Sequence, residues 1–250
     1  MHALDDNPFK LQWQAWGQRL RTSYPQPRAI LLISAHWLTE GWQITTAAQP
    51  RTIHDFGGFP AELFALRYPA PGSAAIAQEI MQALPQLQLR GDGEQWGLDH
   101  GAWTVLMHLF PQADIPVLQL SMPTLDPQRL FALGERLAPL RDEGVLIVGS
   151  GFTTHNLAWF NPSAPSDAAP PTPSAEFDHW PAEAVGRGDV DAVLDFLAKA
   201  PAAREAHPRT EHWAPLYVAL GAASASGGVD AASVIDGFWY GLSKRSWQFA

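Results

Sequence analysis

The chain has 250 residues, 46% of them hydrophobic and 16% charged, with a formal net charge of −9 and no cysteine. That length and apolar content supply a full globular core, and the acidic balance without any Lys/Arg cluster argues against a nucleic-acid partner. Lack of cysteine removes disulfides, thiolate metal ligands and cysteine nucleophiles. The first residues, MHALDDNPFK, lack the basic start and apolar stretch of a signal peptide. No apolar run approaches the roughly 20 residues that span a bilayer. The expectation is a soluble cytoplasmic protein with no membrane partner; oligomeric state, including a homo-oligomer, stays open.

In chain order, a helix is expected over Phe9–Thr22, followed by a turn at Pro25 and Pro27. Ala29–Ala35 (AILLISA) is a continuous apolar run, suited to a strand covered on both faces. Trp42–Thr46 alternates and reads as a second strand. Thr52–Gly72 is punctuated by glycine and proline and reads as loop. Ser73 is a natural N-cap for a helix to Leu84, and a short helix is expected over Gly101–Phe110. Pro116–Ser121 (PVLQLS) reads as a strand, Pro127–Asp142 as a helix, and Val145–Gly149 (VLIVG) as another buried strand. Asn161–Pro173 is a Pro/Ala/Ser-rich loop. Phe177–Ala200 and Thr210–Gly221 read as helices, and Val234–Gln248 as strand-like aromatic segments. Strands alternating with helices predict one α/β domain over residues 1–250, with a mostly parallel central sheet flanked by helices.

Eleven tryptophans and twelve phenylalanines mostly fill cores, with some left to line a pocket. The chemistry rests on histidine. His36 closes the AILLISA strand, and His155 follows the VLIVG strand within GSGFTTHNL (Gly149–Leu157). In open α/β sheets, ligands bind at that end of the strands, although a lone histidine there is more often a structural hydrogen-bonder. His212 lies in TEHWAPL (Thr210–Leu216) and His100 in LDHGAW (Leu98–Trp103). No zinc-protease or zinc-finger spacing, serine elbow, P-loop or dinucleotide fingerprint is present. Spacing alone leaves a metal site suggestive only.

Six strings carry more weight in their order: SAHW (Ser34–Trp37), TIHDFGGFP (Thr52–Pro60), YPAPG (Tyr68–Gly72), WGLDHG (Trp96–Gly101), TTHNL (Thr153–Leu157) and TEHWAPL. They resemble the DOPA 4,5-dioxygenase-like branch of the LigB family of class III extradiol ring-cleavage dioxygenases, and the likeness runs over nearly the whole chain. The resemblance implies a non-haem Fe(II), sometimes Zn(II) as isolated, and cleavage of a small aromatic diol by O2. It implies metal ligation by His36 and His212. His155 would be an acid/base that also approaches the metal, and His100 a pocket residue bonding substrate or oxygen. His54 and Asp55 would sit at the pocket rim, although a histidine fixing its own Gly-rich turn explains His54 equally well. Trp37, Trp213 and Trp103 would wall the ring substrate. Imidazoles suit these ions, and one titrating near neutrality can take a phenolic proton and return it. His2, His108, His179 and His207 match nothing and read as surface or packing residues.

The chain departs from the family in one place. There an N-terminal strand ends in a G-H-G-S-P-M-like motif whose histidine binds metal, followed by a segment like ALDDNP; here Met1 falls at that motif's methionine. Either a true start lies about 15–25 residues upstream, one strand plus its lead-in, or the site has lost a ligand, which His2 on a terminus would replace poorly. Residues 1–250 are then expected to bind metal weakly or not at all. A catalytically silent metal- or ligand-binding protein on the same scaffold is the alternative reading. A zinc hydrolase, with Glu211 beside His212 as base, is the third.

Overall fold

The computed structural model describes residues 7–225 and 227–250. Expectations resting on Met1, His2 and Ala3–Asp6 lie outside the described residues. The chain divides into two compact units: one holds the described residues up to Thr124 together with Pro139–Ser150, the other Leu125–Ala138 and Gly151–Ala250.

In the first unit, Asn7 accepts from the Lys10 N–H and caps α1 (Pro8–Ser23). The AILLISA run becomes β1 (Ala29–Leu38), with Ala29 to Ile33 fully buried. Each of its four large aliphatic side chains contributes on the order of 2 kcal/mol by leaving water. β2 (Gln43–Ile44) is shorter than the alternation suggests, because Asp92 captures Thr46, two residues further on. Its Oδ1 accepts from the Thr46 N–H and hydroxyl at 3.0 Å each, turning the chain out of the ladder. The loop after β2 carries the five-residue α2 (Ala61–Ala65). Then α3 (Ala74–Ala83) starts at its expected Ser73 cap, β3 (Arg90–Gly91) follows, and Asp99 caps α4 (His100–Leu109). β4 (Val117–Met122) is entirely buried.

The helix expected over Pro127–Asp142 is broken by Pro139, which lacks an N–H and restricts the residue before it. Its first part is α5 (Pro127–Leu137), in the second unit, and the remainder is α6 (Pro139–Asp142), which leads into β5 (Val145–Ser150). The strand order is β3-β2-β4-β1-β5. β1 runs parallel to both β4 (Ile30 opposite Val117) and β5 (Ala29 opposite Val145), and only β2 meets β4 antiparallel. The expected α/β class with a mostly parallel, helix-flanked sheet is therefore found. No described helix is long and apolar enough to cross a membrane.

In the second unit, the helix expected over Phe177–Ala200 is three: α7 (Thr172–Gly186), α8 (Val190–Leu194) and α9 (Phe196–Lys199). The first break falls at Gly188, whose φ of +66° ends the helix. Next come α10 (Ala203–Ala206) and α11 (Pro215–Ser224), then β6 (Ala231–Ile235), β7 (Phe238–Trp239), β8 (Leu242–Ser243) and β9 (Ser246–Phe249). β6 pairs with β9 and β7 with β8, both antiparallel.

α5 and α11 cross on glycine. A Cβ at Gly134 would stand 2.1 Å from the Val218 carbonyl oxygen, and one at Gly221 would stand 2.1 Å from that of Phe131. Gly221→Ala should therefore lose about 1–3 kcal/mol by overpacking, although alanine is the better helix former. Gly186→Ala, which meets nothing within 4 Å, should gain up to about 1 kcal/mol. Opposite shifts of the urea midpoint are the expected result; a shared sign would contradict the packing account.

Candidate functional site

His36 sits at the C-terminal end of β1, and His100 is the first residue of α4. Their rings stack with centroids 4.0 Å apart. Asp55, from the loop before α2, receives both the backbone N–H and Nδ1–H of His100 at 2.9 Å. Burial disfavours ionisation of Asp55. The hydrogen bonds and charge of His100, with the more distant His36, outweigh that and hold its carboxyl below the usual range. His36 Nδ1 lies 3.5 Å from the Ser34 hydroxyl, 3.6 Å from Asp99 Oδ1 and 3.7 Å from Asp55 Oδ2. Phe56 stands edge-on to His100 at 5.4 Å and touches Phe59 and Phe64, making an aromatic margin.

In the second unit, the strand-following loop Gly151–Asn156 is fastened to the segment Glu205–His212. The Phe152 N–H donates to the His212 carbonyl and the His155 N–H to that of Ala206, both at 2.9 Å, while Asn156 Nδ2 reaches the Glu205 carbonyl at 2.8 Å. His207 Nε2–H donates back to the Thr153 carbonyl at 2.8 Å. A Cβ on Gly151 would lie 2.0 Å from the His212 carbonyl oxygen, so only glycine lets the two strands of chain meet this closely. The result is that the rings of His155 and His212 stack at 3.4 Å with 9° between their planes. Glu211 Oε1 lies 3.5 Å from His212 Nδ1. Phe152 packs beside His155, and its other neighbour is the buried ammonium of Lys244, 4.1 Å from the ring centroid.

Each unit therefore gathers two imidazoles and a carboxylate. His36, Asp55 and His100 form one group, and His155, Glu211 and His212 the other; within each, the ligand atoms lie within 4.8 Å of one another. Nitrogen and carboxylate donors in that ratio fit divalent first-row metals.

The family profile described as the catalytic LigB subunit of aromatic ring-opening dioxygenase matches residues 2–239. The chain belongs to the LigB family. The 4,5-DOPA dioxygenase extradiol of Escherichia coli K12 is 40% identical over 228 residues, covering 89% of this chain and 81% of the relative. That of Beta vulgaris is 40% identical over 261 residues, covering all of this chain and 92% of the relative. The crystal structure of an uncharacterized E. coli K12 protein superposes with a TM-score of 0.81 at 32% identity, covering 99% of this chain and 94% of that one.

Of the LigB-motif residues, His36 and His100 stand together in one unit and His155 and His212 in the other. The three tryptophans expected to wall a substrate are buried. Trp37 is buried and stacks on Trp96 at 5.5 Å. Successive strand residues face opposite ways, so the neighbour of His36 points away from it. Trp213 is buried against Phe177, Phe196 and His207, and Trp103 is wholly buried with Nε1–H on the Ile53 carbonyl. His54, for which both a pocket-rim and a turn-fixing role were expected, closes its own loop, donating from Nε2 to the Leu66 carbonyl at 3.0 Å. His108 and His207 are buried packing residues and His179 is exposed. Ser34, Asp99 and Gln119 were not expected near the site. The available signals were the places of Ser34 and Asp99 within the SAHW and WGLDHG strings and a lone glutamine inside the apolar PVLQLS strand.

Burial pushes the His207 imidazole down to about 4 from its ordinary 6.5. Below pH about 6.5 the unfolded chain takes up a proton that folded His207 refuses, so stability falls from there to about pH 4 and then levels off. His207→Gln keeps a donor for Thr153 without the titration. Its urea midpoint should drop less than the parent's between pH 7 and 5; an equal drop would place the acid sensitivity elsewhere.

Proposed function

We propose that the chain catalyses extradiol opening of a catechol-type ring with O2, using a histidine-bound divalent metal, Fe(II) in the working enzyme and Zn(II) as an ion it also accepts. The observation that carries this reading is the pair His155 and His212, stacked at 3.4 Å by a loop that only glycine can close. In support, each group of two imidazoles and one carboxylate fits such an ion, and the motif resemblance makes His36, His155 and His212 the candidate ligands. A divalent metal held by these histidines would supply the Lewis-acid and redox chemistry that brings a catechol and O2 to reaction.

The chain's own residues do the remaining work. The His155 imidazole takes the proton of the second hydroxyl and returns it as the ring opens. His100, its Nδ1–H engaged by Asp55, presents its other nitrogen to a substrate hydroxyl. Phe56, with Phe59 and Phe64 behind it, shields this edge from water and offers ring faces to an aromatic guest. In balance, one C–C bond beside the diol breaks and both atoms of one O2 stay in the product. The relatives' name, 4,5-DOPA dioxygenase extradiol, makes a catechol bearing an amino-acid side chain the first substrate to try.

The test loads Fe(II) anaerobically, then supplies a catechol panel that includes DOPA under isotopically labelled O2. A yellow ring-opened product carrying two labelled oxygens is expected. His155→Ala should lower kcat by about 10²–10⁴-fold, with metal content measured on the same samples. Metal-loaded protein that opens no catechol would reject the proposal.

A further inference from the structure

We infer that Asp99 is a positioning residue for the metal-binding imidazole of His36, acting through Ser34 to keep the ring proton on Nδ1 and the lone pair on Nε2. The inference rests on the reading of His36 as a metal ligand.

Asp99 is wholly buried and accepts three hydrogen bonds. They come from the Ser34 hydroxyl at 2.8 Å, Gln119 Nε2 at 2.7 Å and the Ala102 N–H at 3.2 Å. Its own N–H donates to Gln119 Oε1 at 2.9 Å, so β4 clamps the residue from two sides. A hydroxyl has a single hydrogen. Since Ser34 gives that hydrogen to Asp99, it can only accept from His36, whose backbone N–H lies at 3.2 Å and Nδ1 at 3.5 Å. Nδ1 is thereby the protonated nitrogen.

Capping α4 does not explain this arrangement. A neutral serine or asparagine caps a helix as well as aspartate does, without a buried carboxylate or a glutamine inserted into an apolar strand to satisfy it. Gly101 belongs to the same device. A Cβ there would stand 2.7 Å from the Ser34 hydroxyl and 3.1 Å from both Asp99 Oδ1 and His36 Nδ1. The cluster thus leaves no room for a side chain above it. Carboxylates that hold the second nitrogen of a ligating histidine in this way fix its orientation and raise its basicity.

The experiment is a Zn(II) titration of the full chain against a chromophoric chelator, with unfolding midpoints measured alongside. The double variant Asp99→Asn with Gln119→Glu retains the cap and every hydrogen bond but moves the negative charge away from Ser34. Its midpoint should stay near the parent's while Zn(II) affinity falls about 10–100-fold. Ser34→Ala, which removes the relay and leaves Asp99 in place, should fall comparably, and it carries the test if the double variant does not fold. His36→Ala should lose the parent's Zn(II) binding altogether. If His36→Ala loses the metal but Ser34→Ala and every folded Asp99 variant bind within twofold of the parent, the positioning role is refuted and the ligand reading survives. If His36→Ala binds like the parent, the ligand reading fails and this inference with it.

Discussion

Oxygen atoms at Nδ1 determine how the imidazoles of His36 and His100 are presented. Ser34, Asp99 and Asp55 surround that atom of His36, Asp55 holds that of His100, and Glu211 lies 3.5 Å from that of His212. An imidazole on a single rotatable stem swings freely unless one nitrogen is held; once Nδ1 is fixed, the ring plane and the direction of Nε2 follow. Burial beneath these groups keeps the holding oxygens in place. Asp99 caps α4, is clamped by Gln119 of β4 and bonds Ser34 of β1, so its position is as rigid as the sheet.

That presentation depends on two close approaches of backbone. Gly101 lets the first turn of α4 settle over Ser34 and His36, and Gly151 lets the loop after β5 lie against the His212 carbonyl. Neither glycine has the left-handed φ seen at Gly188; each is needed because a methyl group would occupy the space of a neighbouring atom. The parallel sheet then does the coarse placement, ending β1 close to the histidine it carries and β5 at the start of the loop that carries another.

The sheet was readable from the sequence because AILLISA and VLIVG are apolar runs of strand length; β1 is buried from Ala29 to Ala35 as expected, whereas β5, last in the strand order, is buried only at Val145 and Ser150. What was less readable depended on partners far along the chain. Trp42–Thr46 shrinks because Asp92 pulls Thr46 aside, and the helix after Thr210 begins only at Pro215, since the preceding residues turn to meet the Gly151 loop. Among site residues, His36 and His155 were visible as strand-end histidines within motifs. Trp37 and Trp213 lie buried for a local reason: the side chain next to His36 faces the other way on the strand, and the one next to His212 falls into the core. Asp99 and Gln119 could not be assigned because Ser34 and Asp99 are 65 residues apart and meet only through the register of β1 beside β4.

Nitrogen-15 NMR of imidazole-labelled, metal-free protein at neutral pH reads these tautomers directly, with each histidine assigned by substitution. His36 and His100 should carry the proton on Nδ1 and show an unprotonated Nε2, whereas His207, bonded to the Thr153 carbonyl, should show the reverse. Finding His36 and His100 protonated at Nε2 alone would contradict the account.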